Sequence, residues 1–262
     1  MNLASSLLRL ARALQSLVFF AIYAVYTVFF FGLVQRVVIW PLVLLSPARR
    51  YEIVGAWFRL LANSTLGLAR VIADVRLDVR GSVPPGSSVT VMNHQSLLDV
   101  PIAYSLVSRP YPVIPTRRLY ARGIPGVSPL LRLARAPFVS QTREGARADV
   151  KTIARAAQEV AAGHLSMLIF PEGHRTHDGQ ISPFMTGGLR AILGRARRPI
   201  YIIVVDGLWH ARTTADALFT FAGTRGKVRV VGPLPPPEAG DVETFIAALE
   251  ARMGATLAEM RA

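Results

Sequence analysis

Between Ala13 and Gln35 the chain runs for 23 residues without a formal charge. At about 1.5 Å per residue, that stretch is long enough to cross a hydrocarbon core of roughly 30 Å. Arg36 interrupts it, and a second apolar piece follows from Val37 to Leu45, too short to span alone and holding Pro41. Two geometries fit. One is a single signal-anchor span over 13–35. The other is a pair of helices, bent near Gln35-Arg36, that dips into one leaflet and returns. A cleaved leader is not expected, because the apolar core is too long and no small-x-small site follows it. A buried core helix of this length would carry some polar face, so the pattern predicts membrane attachment. Arg9, Arg12, Arg36, Arg49 and Arg50 flank the segment on both sides and leave its orientation open.

Beyond the apolar segment, Ile53 to Ala73 reads as a helix with one apolar face and with Arg59 and Arg70 on its polar side, either lying at a membrane surface or connecting. From Val75 the period changes. Predicted strands are Val75–Arg80, Ser88–Met92, Leu165–Phe170, Ile200–Val205 and Lys227–Val231. Predicted helices are Leu97–Ser108, Ala146–Ala162 capped by Gly163, Thr186–Ala196 and Val242–Arg261. Leu165–Phe170 and Ile200–Val205 are nearly all apolar, as strands covered on both faces should be. The expectation is an α/β fold with a mixed, partly parallel sheet flanked by helices, behind an N-terminal apolar helical membrane anchor. It divides the chain into 1–50 (anchor), 51–74 (connecting or interfacial helix) and 75–262 (α/β domain).

Charge narrows the partners. The net charge is +14, and all the basic residues except Lys151 and Lys227 are arginine. Such a balance favours an anionic partner, although genome base composition also enriches arginine. No zinc-finger, RNP-type or basic-heptad pattern supports nucleic acid. An anionic bilayer with a phosphate-bearing substrate accounts for charge and apolar anchor together. With no cysteine there is no disulfide framework, thiolate nucleophile or Cys-based zinc site.

Candidate chemistry starts at Asn93-His94-Gln95-Ser96-Leu97-Leu98-Asp99, where a strand runs into a helix. On one helix, side chains five residues apart point about 140° away from each other. His94 and Asp99 meet only if His94 lies in the preceding turn and Asp99 in the first turn of the helix. An aspartate accepting from one ring nitrogen fixes the tautomer and leaves the other basic toward a substrate. The plain alternative is that Ser96, a good N-cap, and Asp99 form an ordinary capping box. A second motif, Phe170-Pro171-Glu172-Gly173-His174-Arg175, turns out of an apolar strand at a carboxyl end, where open α/β sheets bind ligands. Arg175 suits bidentate phosphate binding and Gly173 a close backbone approach. Its plain alternative is a polar loop in which Glu172 and Arg175 pair with each other.

Asn93-His94-x4-Asp99 and Phe170-Pro171-Glu172-Gly173-x-Arg175, in this order, resemble the motifs of the glycerolipid acyltransferases, most closely the 1-acyl-sn-glycerol-3-phosphate (lysophosphatidic acid) acyltransferases. The resemblance covers most of Val75 to about Pro235. It implies His94 as the general base that deprotonates an acceptor hydroxyl attacking an acyl thioester, and Asp99 as its orienting partner. It also implies direct transfer without an acyl-enzyme, and no Gly-x-Ser-x-Gly elbow is present. Glu172, Gly173 and Arg175 match the acceptor-binding motif. Arg117 and Arg118 resemble a basic segment that is usually lysine-led. Three departures surround the acceptor. Gln141 stands where an arginine is expected, with Arg143 two positions on as a substitute charge; His174 replaces a small hydroxyl residue; and Pro199-Ile200-Tyr201-Ile202 keeps only the first proline of a further motif.

The implied reaction is lysophosphatidic acid to phosphatidic acid, with another lysophospholipid or a lyso-aminolipid as the alternative acceptor. The implied acyl donor is acyl-CoA or acyl carrier protein, and no cofactor or metal is implied. The expected location is a membrane, a bacterial inner membrane with the catalytic domain on its cytoplasmic side. Two rivals remain from other classes. One is a metal-dependent hydrolase using His174, His177 and Asp178 beside Glu172, without any His-Glu-x-x-His pattern. The other is a non-catalytic membrane scaffold.

Overall fold

A computed structural model describes residues 3–107, 109–210, 214–238 and 240–262. The chain begins with one long helical rod. It comprises helix α1 (Leu3–Tyr26), a segment of wider five-residue turns (Thr27–Ile39) and α2 (Trp40–Leu45). Ala4–Leu45 is apolar enough to cross a membrane, with a mean hydropathy of 2.4 over its best window. The helix continues through Gln35-Arg36 without a break. The bend that one of the two geometries put there lies instead at Ser46–Arg49, and the returning element is α3 (Arg50–Ile72).

One side of the rod is packed against the rest of the protein. Gln15 Nε2 donates to the Ile72 carbonyl (2.8 Å), the Ser16 hydroxyl accepts the Ala222 N–H (2.9 Å), and Phe19 stacks on Phe221 (4.7 Å). Gln35, fully buried in otherwise apolar surroundings, accepts from the Trp57 indole (3.3 Å) and donates to the Gly126 carbonyl (3.4 Å). The opposite side leaves Leu14, Val18, Ile22, Val25, Phe29 and Val37 exposed.

Helix α3, read from sequence as a connecting or interfacial helix, contributes one face to the core. Val54, Trp57, Phe58 and Leu61 are buried, it packs on α4 (Asp99–Leu106), and Phe58 stacks on Tyr104 at 4.3 Å. The described residues then form a six-stranded sheet from β1 (Arg76–Arg80), β2 (Val89–Met92), β3 (Pro112–Val113), β6 (Ser166–Ile169), β7 (Ile200–Asp206) and β8 (Arg225–Leu234), in the order β1-β8-β7-β2-β6-β3. Every pairing is parallel except β7 with β8. The apolar β2, β6 and β7 are buried almost end to end, as strands covered on both faces should be. A two-stranded ribbon of β4 (Thr116–Arg117) and β5 (Phe138–Val139) stands beside the sheet, with α5 (Val127–Leu133) between its strands in sequence.

Helices α6 (Ala146–Ala161), α7 (Thr186–Ala196) and α9 (Val242–Arg261) pack side by side, α6 against β6 and α9 against β7. Gly163, at φ +86°, takes the left-handed position that ends α6, as predicted. Helix α8 (Thr214–Thr220) packs on α1. The helix predicted over Leu97–Ser108 is shorter, Asp99–Leu106, and Ser108 lies outside the described residues.

Candidate active site

The site sits at the carboxyl ends of three neighbouring parallel strands, β6, β2 and β7, where the chain leaves β2 toward one side of the sheet and returns on the other. His94 lies in the turn after β2, and Asp99 is the first residue of α4. His94 Nδ1 is 2.7 Å from Asp99 Oδ2. The same carboxylate oxygen accepts the backbone N–H groups of Gln95 (2.6 Å) and Ser96 (2.7 Å), so Asp99 completes a cap and holds the imidazole at once. Ser96 caps in its own right, its hydroxyl accepting the Leu98 N–H at 3.0 Å. Asp99 is fully buried; a carboxylate there is tolerable because donors surround it.

His94 is held on every other side too. Its N–H donates to Glu172 Oε1 and its carbonyl accepts from the Thr176 N–H, both at 2.8 Å. The Phe170 ring stacks on the imidazole, with centroids 4.2 Å apart and planes 20° apart. With Nδ1 taken by Asp99 and the side chain 20% exposed, Nε2 is the nitrogen left for a partner from outside. Neighbours extend this frame into β7. The Asn93 amide donates to the Val205 carbonyl (2.8 Å) and accepts its N–H (2.7 Å), while Gln95 accepts the Leu208 N–H (3.0 Å). Neither contact is visible in sequence, since the partners lie more than 100 positions away.

Glu172 corrects an expectation. It does not face the cleft: it is 1% exposed, with Oε1 on His94 N–H and Oε2 on Ser182 N–H (2.8 Å). Burial raises its pKa above the ordinary range, an effect opposed by those two backbone donors. Among the described residues no ion pair joins it to Arg175. Glu172 therefore braces the turn that carries the imidazole. Gly173, at φ +72°, takes the left-handed position that the turn after β6 requires, and its N–H donates to the Phe170 carbonyl (3.1 Å).

Arg175 is half-buried and lines an open cleft. The cleft walls are apolar: Phe19 and Tyr23 from the rod, Leu97 and Pro101 beside α4, and Phe221 after α8. Ser96–Leu98, directly following the His94 turn, also line it. A cleft with one guanidinium, an adjacent imidazole and hydrocarbon walls suits an amphiphile with an anionic head.

The remaining basic candidates lie on the ribbon and in the loop that follows it. Arg117 and Arg118 are exposed on β4 and the turn after it, and Arg143 is exposed in the loop before α6. Gln141 supplies the junction between that loop and the Arg175 loop, its Nε2 donating to the Gly173 carbonyl (3.1 Å). Gln141 adopts φ +58°, stabilised by its N–H donating to Asp149, which also accepts from the Ser140 N–H and hydroxyl. Among the described residues no group of three or more His, Asp or Glu side chains is placed to hold a metal ion. His174 and His177 face each other with ring centroids 6.4 Å apart.

Comparison with known proteins agrees with this architecture. The crystal structure of the 1-acyl-sn-glycerophosphate (LPA) acyltransferase PlsC from Thermotoga maritima superimposes with a TM-score of 0.74 at 19% identity, covering 97% of this chain and 98% of that one, which establishes the shared fold. The 1-acyl-sn-glycerol-3-phosphate acyltransferase alpha of Mus musculus is 31% identical over 170 residues, and that of Homo sapiens 31% over 165 residues. These matches take in 63% and 62% of this chain and 57% and 56% of the relatives, so the chain spans just over half the length of the mammalian proteins it matches. The acyltransferase family model matches residues 76–206, the stretch holding β1 through β7 and both motifs. The chain belongs to the acyltransferase family.

Proposed function

We propose that the protein is a membrane-bound O-acyltransferase that moves a fatty acyl group from an acyl thioester to the free hydroxyl of a lysophospholipid, converting lysophosphatidic acid to phosphatidic acid. The observation that carries this reading is the His94 environment: Nδ1 locked on Asp99, the backbone gripped at both ends, and Nε2 left for the acceptor hydroxyl. In the proposed step Nε2 takes the hydroxyl proton as the oxygen attacks the thioester carbonyl. The imidazolium, stabilised by Asp99, then returns the proton to the departing thiolate. Arg175 holds the acceptor phosphate and the apolar cleft receives a lipid chain.

The rod supports a particular seating. From Gln15 to Gln35, about 30 Å of helix, it is bonded to the catalytic domain. A span standing across a bilayer has no room for a polar domain along that length, so the contacts favour a rod bedded in one leaflet with its exposed apolar side toward lipid. The anionic bilayer, acyl-CoA or acyl carrier protein as donor, and a cytoplasmic-side location at a bacterial inner membrane belong to this proposal.

A second acceptor class is favoured by one specific observation. Gln141 is neutral and its amide is already spent on Gly173, so it offers a phosphate no charge. This suits another lysophospholipid or a lyso-aminolipid. One experiment decides: purified protein in vesicles is given a panel of lysolipids with acyl-CoA or acyl carrier protein, and products are identified by mass. Phosphatidic acid formed by the wild type and not by His94→Ala is expected; activity retained by His94→Ala overturns the base assignment.

A further inference from the structure

Helix α9 ends on Arg261, far from both motifs in sequence, yet its guanidinium reaches the active-site end of the sheet. Nε lies 3.1 Å from Asp206 Oδ2, and Nη2 lies 2.7 Å from Asp206 Oδ1 and 2.6 Å from the Gly179 carbonyl. Asp206 closes β7 one residue after Val205, which Asn93 holds, and two before Leu208, which Gln95 holds. Gly179 closes a tight turn built on Thr176: the Gly179 N–H donates to Thr176 Oγ1 (3.1 Å), and that hydroxyl donates to Asp178 Oδ1 (3.0 Å). The Thr176 N–H in turn donates to the His94 carbonyl, and Arg175 precedes it in the chain.

We infer that Arg261 is a positioning residue for the acceptor site, a three-point latch that ties the Arg175 loop to the end of β7 and thereby sets where Arg175 stands relative to His94. The planar fork matters, because a guanidinium engages both carboxylate oxygens and a carbonyl in a fixed geometry that a lysine ammonium does not reproduce. Placement supports the role. The side chains of Asp206 and Arg261 are 15% and 32% exposed, so solvent screens the pair less than a surface pair. Burial tends to raise the pKa of Asp206, but the hydrogen bond and charge of Arg261 hold it below the ordinary carboxylate range. The Asp178 charge also acts on Arg261, so loop and strand both favour the cation. Without the latch the loop keeps its internal turn but loses its outer tether, and Arg175 samples more positions.

The inference rests on the proposed function for its kinetic readout, and its structural readout stands apart. Arg261→Ala is expected to raise the acceptor KM about tenfold, the scale of losing a charge-assisted contact. The donor KM is expected to be unchanged and kcat to stay within about twofold, as for lost acceptor binding. Arg261→Lys is expected to fall between the two. In an Arg175→Ala background, Arg261→Ala should add no further rise in acceptor KM, because the latch then has nothing to position. Hydrogen exchange at residues 173–182 should quicken in Arg261→Ala and in the isosteric Asp206→Asn. Unchanged exchange in both variants, or independent effects of Arg175→Ala and Arg261→Ala, overturns the latch. If wild-type protein acylates no lysolipid while exchange still quickens, the acyltransferase reading fails and the latch survives.

Discussion

Asp99 Oδ2 receives three donors at once: His94 Nδ1 and the backbone N–H groups of Gln95 and Ser96. The carboxylate that orients the imidazole is thus also the one that shapes the turn presenting it. Its replacement has two separable costs. Asp99→Ala should lower kcat by about 10²- to 10⁴-fold, the range for general-base function. It should also lower thermal stability, because each orphaned buried N–H costs about 1–3 kcal/mol. His94→Ala should match the rate loss with little change in melting temperature. Parallel kinetics and calorimetry check the pair; equal melting temperatures for the two variants contradict the dual role.

Glu172→Gln keeps the shape but offers one carbonyl to two N–H groups that each now have an oxygen. The turn at His94 should loosen, with kcat falling about tenfold for one misplaced buried bond of about 1–3 kcal/mol. Substrate KM should barely move, since Glu172 is turned inward. A rise in acceptor KM at constant kcat would restore Glu172 as a substrate contact.

Phe170 presents its ring to the base at 4.2 Å. Phe170→Leu removes the stacking while keeping apolar volume, and should cost about 0.5–1.5 kcal/mol in kcat/KM, roughly two- to tenfold. Undiminished turnover would show that Asp99 and Glu172 suffice to hold the imidazole.

Asp206 gives a pH signature. Burial works against its charge, yet Arg261 holds its pKa below the ordinary aspartate value of about 4. A depressed folded-state pKa contributes stability that is present above the unfolded value and lost as pH falls through the folded one. Asp206→Asn should therefore be less stable than wild type at pH 7, with the gap closing in acid below that window. Urea unfolding across pH checks it, and a gap that is constant with pH removes the ion pair as its cause.

Val25 is 70% exposed on the outer side of the rod. If that side beds in lipid, Val25→Asp should weaken vesicle binding by about 2.5–3.5 kcal/mol near the centre of the apolar stretch. Vesicle flotation measures it. Binding unchanged by the charge would move the lipid-facing side elsewhere.

Much of the core was legible because period and burial coincide. The apolar runs at Leu165–Phe170 and Ile200–Val205 became central strands, and the amphipathic 146–162 stretch with its glycine stop became α6. The short β3, β4 and β5 carry two residues each, too few for any period to register, and α5 and α8 make only about two turns each. Within the site, spacing left a capping box and a His94–Asp99 pair both open, and the fold shows Asp99 making the two sets of contacts together. Glu172 beside an arginine reads in sequence as a ligand contact; the fold shows Ser182 and His94 taking both its oxygens. Asp206 and Arg261 carried no local signal at all, since their meaning lies in a contact between residues 55 apart.

The amide of Gln35 bridges the Trp57 indole and the Gly126 carbonyl inside an otherwise greasy helix. Peeling the rod from the domain at a bilayer would strand all three polar groups in oil, where each lacks water as a substitute partner. Rod and domain are thereby obliged to tilt together. Were the rod seated in lipid, any tilt of the molecule would carry the imidazole with it.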